Sequence, residues 1–276
     1  MKKTLRYLVL SVVAAIMVAP LLWMIVTSLE SPEALVRFPP QLIPSPPRFS
    51  NYAVVFRDLP IGTFLFNSVK ISVLGTIGEL IAASLAAFAF ARMQFRGKRI
   101  IFAILLSTMM IPFQVTMIPV YIIMRYLGWL DNHASLIIPH FFGGAFASGA
   151  FGVFLLRQFF ESVPHELEDA SRIDGASRFR FFLTILLPLS KPALAVLSLF
   201  VFMGIWNDLL TPVLFLSSED KMPLPFGLAV LQTVQHTFRY DLLMAGTLLS
   251  VIPIVLAYIL AQRHVTNSFL KAGLKG

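Results

Sequence analysis

The chain has 276 residues, of which 57% are hydrophobic and only 13% are charged, and its mean hydropathy is +0.81. Soluble domains carry about 25% charged residues, so this composition excludes an ordinary soluble protein and indicates an integral membrane protein. The sequence contains no cysteine, which excludes disulfides, thiolate metal sites and cysteine nucleophiles.

Six apolar segments are long enough to cross a bilayer as helices, which takes about 20 residues each. The predicted fold class is therefore all-α, a polytopic membrane protein with six transmembrane helices. The first segment follows "MKKTLR" and is longer than the apolar region of a signal peptide, so we expect it to be a retained anchor. The predicted spans are Tyr7–Thr27, Val69–Ala91, Ile100–Met124, Ser135–Leu156, Ala193–Leu216 and Leu242–Leu260.

Positive charge is unevenly shared between the two sides of the predicted membrane. With the N-terminus inside, most lysines and arginines fall in the N-terminal segment, two inner loops and the C-terminal end. Positive residues favour the cytoplasm, so both termini are predicted to be cytoplasmic. This distribution explains the net charge of +8 without a nucleic-acid partner.

Two groups of polar residues interrupt the apolar spans, and each has two interpretations. Glu79 lies near the middle of the second span and is either a substrate-path or coupling carboxylate, or a structural hydrogen-bonding partner of another helix. Trp206, Asn207 and Asp208 follow each other in the fifth span. They suit a polyhydroxylated substrate, because aromatic rings stack on sugars and polar groups bind hydroxyls, but they equally suit helix packing.

Motifs for catalysis or nucleotide binding are missing. No G-x-x-x-x-G-K-[ST] loop is present, and "HELED" at His165–Asp169 lacks the second histidine of a zinc protease motif. The chain is therefore predicted not to be an enzyme and to have no metal site. If it transports a solute actively, the energy comes from an ion gradient or from partner ATPase subunits.

The loop between the fourth and fifth spans contains a predicted charged helix. Pro164 suits a first turn, three acidic residues follow it near the positive end of the helix dipole, and Gly175 is placed to end the helix. Amphipathic loops also lie on lipid headgroups, but membrane-surface helices carry mainly Lys and Arg on their polar face. The acidic character therefore favours a protein partner, and we call Glu166 to Gly175 the docking helix.

The same loop resembles the signature of ABC importer permeases, E-A-A, three residues, G, nine residues, I-x-L-P. Asp169, Ala170 and Ser171 stand in the E-A-A positions, Gly175 in the glycine position, and Ile185–Pro188 in the last four. The departures are Asp for Glu and Ser for the second Ala. Further stretches ("IPVYIIMRYLGWLDNHASLIIP", "IWNDLLTPVLFL" and "LAQRHVTNSFLKAGLKG") resemble carbohydrate permeases of the maltose type, so the resemblance covers nearly the whole chain.

The resemblance implies a type I ABC importer permease fold in a bacterial or archaeal plasma membrane. Its implied partners are a second homologous permease, two ATPase subunits that hold ATP and Mg, and an extracytoplasmic solute-binding protein that delivers a sugar-like substrate. The implied parts are an N-terminal helix with a proline-rich outer loop (1–65), a permease core (66–262) with a coupling loop (157–192), and a cytoplasmic tail (263–276). The expected ATPase-coupling residues are Glu166, Glu168, Asp169, Ala170, Ser171, Asp174 and Gly175.

An ion-coupled secondary transporter that uses Glu79 and Asp208 is the competing hypothesis. It would work without ATPase partners. The residues alone leave this alternative open, and they do not identify the sugar, polyol or sugar phosphate that is carried.

Overall fold

The structure, a computed structural model, describes residues 2–35, 37–39, 41–143, 148–234 and 239–273. It divides into two compact units, one of Met1–Leu65 with Pro223–Pro253 and one of Phe66–Met222 with Ile254–Gly276. The described residues contain α-helices and short 3-10 and π segments, with no strand among them.

The helices, numbered in chain order, vary from a single turn to 34 residues. They are α1 (Lys2–Ser28), α2 (Pro32–Leu35), α3 (Ser50–Asp58), α4 (Ile61–Arg92), α5 (Lys98–Ser107), α6 (Phe113–Tyr126), α7 (Ala134–Ile137), α8 (Ser148–Ser162), α9 (Glu166–Ile173), α10 (Arg178–Phe181), α11 (Leu187–Leu189), α12 (Lys191–Trp206), α13 (Leu210–Phe215), α14 (Leu224–Val234) and α15 (Tyr240–Gly273). A π-helical turn, Phe182–Leu186, joins α10 to α11. Three 3-10 segments are Thr108–Met110, Ile138–Phe142 and Glu219–Lys221.

Three of the six predicted spans correspond to single long apolar helices. Within the described residues these helices cover Lys3–Ser28, Ile61–Arg92 and Tyr240–Arg263. Two bent pairs of helices raise the number of possible crossings to five, since Lys98–Met110 meets Phe113–Tyr126 at 101° and Arg178–Leu189 meets Lys191–Trp206 at 77°. The all-helical membrane fold is confirmed, whereas the count of six spans is not confirmed exactly within the described residues.

Each broken span has a local cause. In the third, Ile111 is extended before Pro112, because the proline ring disfavours helical backbone at the residue before it. The fifth ends at Trp206, and the next helix starts only after Asp208, which accepts a hydrogen bond from the backbone N–H of Thr211. The fourth, Ser135–Leu156, meets a left-handed glycine at Gly143 and then residues 144–147, which lie outside the described residues.

The apolar core of the larger unit lies between α4, α8, α12 and the π-helical turn. Buried phenylalanines join these elements, with ring centroids of Phe88 and Phe182 4.8 Å apart and those of Phe160 and Phe182 6.4 Å apart. Gly152 of α8 allows close contact at this junction, because a Cβ there would lie 3.1 Å from Cβ of Ala83 and 3.3 Å from Leu197. The coupling loop therefore starts and ends in elements that share one core.

Outside the helical core, Asp131 joins two loops of the same unit. Its carboxylate accepts bonds from the backbone N–H groups of Ser217 and Ser218, from the Ser218 hydroxyl at 2.5 Å and from Nζ of Lys221 at 2.9 Å. Its own N–H donates to the carbonyl of Phe215 at 2.7 Å. The hydroxyl of Ser218 and the ammonium of Lys221 hold the pKa of Asp131 well below its usual range. We call this set the Asp131 clamp.

Gly152→Leu should destabilise the chain, because the added side chain overlaps Ala83 and Leu197 in a core that cannot relax freely. Such overpacking costs about 1–3 kcal/mol, which thermal unfolding of the purified chain in detergent would register as a lower midpoint. Gly204→Leu in α12 is the matched control, since a Cβ there meets no atom within 4 Å. Equal midpoints for the two variants would contradict close packing at Gly152.

Asp131→Asn should also lower the unfolding midpoint, since it weakens the bonds to Ser218 and Lys221. A carboxyl whose folded pKa is depressed stabilises the fold above its unfolded pKa of about 3.9 and loses this effect as the pH falls. The difference in unfolding midpoint between the unmodified chain and Asp131→Asn should thus be constant from about pH 5 to 8 and become smaller only below about pH 4. Asp220→Asn, at an exposed neighbour, is the control. A midpoint difference that changes between pH 5 and 8 would contradict a stabilising role for the Asp131 carboxylate.

Candidate functional site

The docking helix forms as α9, Glu166–Ile173, with Asp174 as its C-terminal cap. Gly175 follows with a φ of +77°, a left-handed conformation that favours glycine. The N–H of Gly175 donates to the carbonyl of Arg172, and that of Ala176 donates to the carbonyl of Ser171. These two bonds form a Schellman motif, so Gly175 ends the helix as the sequence predicted.

One face of α9 is open to solvent. Glu166, Asp169 and Ala170 are exposed on it, together with Ile173, which is 87% exposed. An exposed isoleucine and alanine together with two carboxylates form a surface that is both apolar and negatively charged. Asp174 and Gly175 are exposed at its end. The structure thus brings five of the seven predicted coupling residues to one accessible side.

Glu168 and Ser171, the other two predicted coupling residues, are buried within the chain. The side chain of Glu168 is only 6% exposed, and Ser171 donates its hydroxyl hydrogen to the carbonyl of Glu168. Ser171, although it stands in the E-A-A positions, therefore faces the protein interior and not an accessible surface. Any role of these two residues in coupling is to position the helix.

Arg92, at the end of α4, lies beside the inner face of α9. Its Nη2 donates to the carbonyl oxygens of Phe160 at 2.6 Å and Val163 at 2.5 Å. Its Nη1 donates to Nδ1 of His165 at 2.9 Å, and Nη1 lies 3.8 Å from a carboxylate oxygen of Glu168. From the sequence alone, Arg92 is one of the positive charges predicted to be cytoplasmic, since no local pattern pairs it with residues about 70 positions away.

After the glycine, the chain returns toward the apolar core through three short elements. Ser177 caps α10 by accepting a bond from the N–H of Arg180. The π-helical turn then buries Phe182 and Leu186. At Ser190, which is buried and donates to the carbonyl of Leu186, the chain bends into α12. The signature residues Ile185–Pro188 therefore lie in the connection between the docking helix and an apolar helix.

Glu79 forms a buried pair with His140 of the segment Ile138–Phe142. One carboxylate oxygen of Glu79 lies 2.8 Å from Nδ1 of His140. Two glycines of α4 make room for this segment, because a Cβ at Gly75 would lie 3.1 Å from His140 and one at Gly78 only 2.4 Å from Phe141. This geometry supports the structural interpretation of Glu79, a polar contact between elements that are buried together.

Local contacts within the same segment engage Trp206, Asn207 and Asp208. Trp206 is buried and stacks on Phe202 with ring centroids 5.5 Å apart. Asn207 donates to the carbonyl of Met203, and Asp208 accepts the backbone N–H of Thr211 in the first turn of α13. These contacts favour helix packing over a sugar platform for Trp206, while Asn207 remains exposed. Among the described residues, no three His, Asp or Glu side chains are grouped to hold a metal ion.

Comparison with known proteins agrees with this arrangement. Residues 79–271 match the family described as binding-protein-dependent transport system inner membrane component. The arabinooligosaccharides transport system permease protein of Halalkalibacterium halodurans is 33% identical, with 96% of this chain and 93% of that protein covered. The diacetylchitobiose uptake system permease protein of Streptomyces coelicolor is 32% identical, with coverage of 92% and 83%.

A solved structure has the same fold along nearly the whole chain. It is a chain from a bacterial ABC transporter involved in the import of the acidic polysaccharide alginate, with a TM-score of 0.81, 28% identity and coverage of 95% of this chain and 96% of that one. These matches do not favour an ion-coupled secondary transporter. The chain belongs to the binding-protein-dependent transport system inner membrane components and is a multi-pass membrane permease of an ABC importer, not an enzyme.

Proposed function

We propose that this permease carries a sugar or related polyol across the plasma membrane, paired with a second homologous permease. The proposed assembly includes two ATPase subunits, which bind ATP and Mg, and an extracytoplasmic solute-binding protein. The names of the relatives support a carbohydrate, since they include permeases for arabinooligosaccharides and diacetylchitobiose. A chain of similar fold occurs in an alginate transporter structure with a periplasmic protein bound to an alginate pentasaccharide, which supports the binding-protein partner.

The observation that carries the proposal is the exposed acidic and apolar face of α9. It stands in the positions of the E-A-A signature and ends in a glycine turn. A surface of this kind suits a cleft of an ATPase subunit, in which Ile173 is buried and Asp169 meets a positive residue. Both termini and the coupling loop, residues 157–192, would then be cytoplasmic. The proposed parts remain residues 1–65, 66–262 and 263–276.

Coupling then follows from the rigidity of the elements behind the docking helix. When ATP closes the two ATPase subunits, each subunit moves the helix seated in it. The helix is followed by α10, the π-helical turn and α12, which share a core with α4 and α8. Because packed cores move as rigid bodies rather than deforming continuously, displacement of α9 would rotate these helices and open the path outward.

Gly175→Val should reduce the ATPase stimulation that the solute-binding protein causes in the reconstituted complex. A β-branched residue is strained at a φ of +77°, by about 1–2 kcal/mol for left-handed backbone, so the helix end and the docking surface would shift. Gly175→Asn should be milder, because asparagine tolerates this conformation.

Gly97→Val is the matched control for that experiment. Gly97 has a φ of +79° and lies in the turn before α5, and a Cβ there would meet only Ile101 within 4 Å. Gly97→Val therefore introduces similar backbone strain at a residue that makes no such contact with the docking helix. Normal stimulation by the Gly175→Val complex, or equal loss in both variants, would contradict a coupling role for Gly175.

The energy source can be tested in proteoliposomes that hold the four membrane and ATPase subunits. The substrate should first be identified by mass spectrometry of the ligand bound to the cognate solute-binding protein. We expect its uptake to require ATP on the cytoplasmic side and binding protein on the other side, and to persist when a protonophore collapses the proton gradient. Gradient-driven uptake without ATP would overturn the proposed function.

A further inference from the structure

The docking helix is too short to be stable by itself. It has eight residues, whereas isolated helices shorter than about 12–15 residues are marginal in water. Its outer face is exposed, so its shape and position depend on contacts along its inner face. That inner face centres on Glu168, whose burial contrasts with the exposure of Asp169 beside it.

Two arginines bracket the Glu168 carboxylate. Nη2 of Arg172, one turn later in the same helix, donates to one carboxylate oxygen at 2.7 Å. Nη1 of Arg92 lies 3.8 Å from the other oxygen. Arg172 is partly exposed, whereas the side chain of Arg92 is 1% exposed. The buried ion pair between α9 and α4 is therefore the one between Glu168 and Arg92.

Arg92 also closes the end of α8 and the turn that follows it. It donates to the carbonyls of Phe160 and Val163 and to His165, which occupies the position just before α9. Since guanidinium has only donors, Nδ1 of His165 is the acceptor in this bond. One planar side chain at the end of α4 thus bonds to the end of α8, to the turn after it and to the residue before α9, and it lies at ion-pair distance from Glu168 in α9.

We propose that Arg92 is the positioning residue that ties the docking helix to α4, so that movement of the helix is transmitted directly to a long apolar helix. This inference rests on the proposed function for its transport consequence. α4 is the helix that carries Gly75, Gly78 and Glu79 against the segment with His140. A second route from α9 into the core thus runs through Arg92, in addition to the covalent route through α10 and α12.

The planar guanidinium of Arg92 presents several donors in a fixed geometry, which suits the two carbonyl oxygens and the histidine nitrogen that accept from it. Lysine at position 92 would keep the positive charge near Glu168 but would not reproduce this geometry. Arg92→Lys should therefore keep the fold and loosen α9. The charge-balanced double variant Arg92→Gln, Glu168→Gln leaves no unpaired buried charge. It therefore tests whether Arg92 positions α9 even where a single neutral substitution would not fold.

The positioning role of Arg92 is tested by hydrogen–deuterium exchange of the full chain in lipid nanodiscs. We expect amides of Glu166–Ile173 to exchange about tenfold faster in the double variant, with Arg92→Lys intermediate, and amides in the middle of α4 and α8 to be unchanged. The control is Arg157→Gln, Glu161→Gln, which removes an ion pair of the same types at 2.9 Å on α8. It should leave α9 as protected as in the unmodified chain.

Transmission is tested in the reconstituted complex by the ratio of ATPase activity with and without solute-binding protein. In the Arg92→Lys complex this ratio should fall about fivefold, relative to an equal amount of assembled unmodified complex. Unchanged exchange in α9, or faster exchange spread equally over α4 and α8, would overturn the positioning role. If the unmodified complex shows no stimulation, the proposed function fails, and the exchange experiment still decides whether Arg92 anchors the helix.

Discussion

Inside a bilayer the backbone has no water to bond with, and this constraint shapes the whole chain. Every N–H and carbonyl at that depth must be satisfied by the protein, so the spanning elements are helices. At two breaks within the described residues, a polar side chain takes part in the local hydrogen bonding. Asp208 satisfies the start of α13, and Ser190 donates to a carbonyl at the bend into α12. Breaks of this kind are compatible with a path for solute between helices.

The same requirement explains how charge is arranged at the docking helix. Arg92, Glu168 and Arg172 alternate in sign. The buried Arg92 donates to two carbonyl oxygens, and the buried Glu168 carboxylate pairs with both arginines. The carboxylate of Asp169 stays exposed and free for a partner. Glu168 thus binds within the chain, whereas its neighbour Asp169 is accessible to a partner.

Much of the coupling loop could be predicted from local chemistry. Pro164, the acidic first turn and Gly175 are signals within a few residues of each other, and the helix forms between them with the expected end. By contrast, apolar length alone overestimated the continuity of the third and fifth spans. Hydropathy does not register that Ile111 is extended before Pro112, or that Asp208 starts a new helix.

The membrane class, the three long helices and the position and end of the docking helix were predictable from the sequence, because they depend on composition and on neighbours within one or two turns. Helix packing sets which residues of the docking helix face inward, the bond between Glu79 and His140, and the contacts of Arg92 beside the docking helix. These pairs lie about 60 to 75 positions apart in the chain. Contacts at such distances arise from helix packing, and no local pattern encodes them.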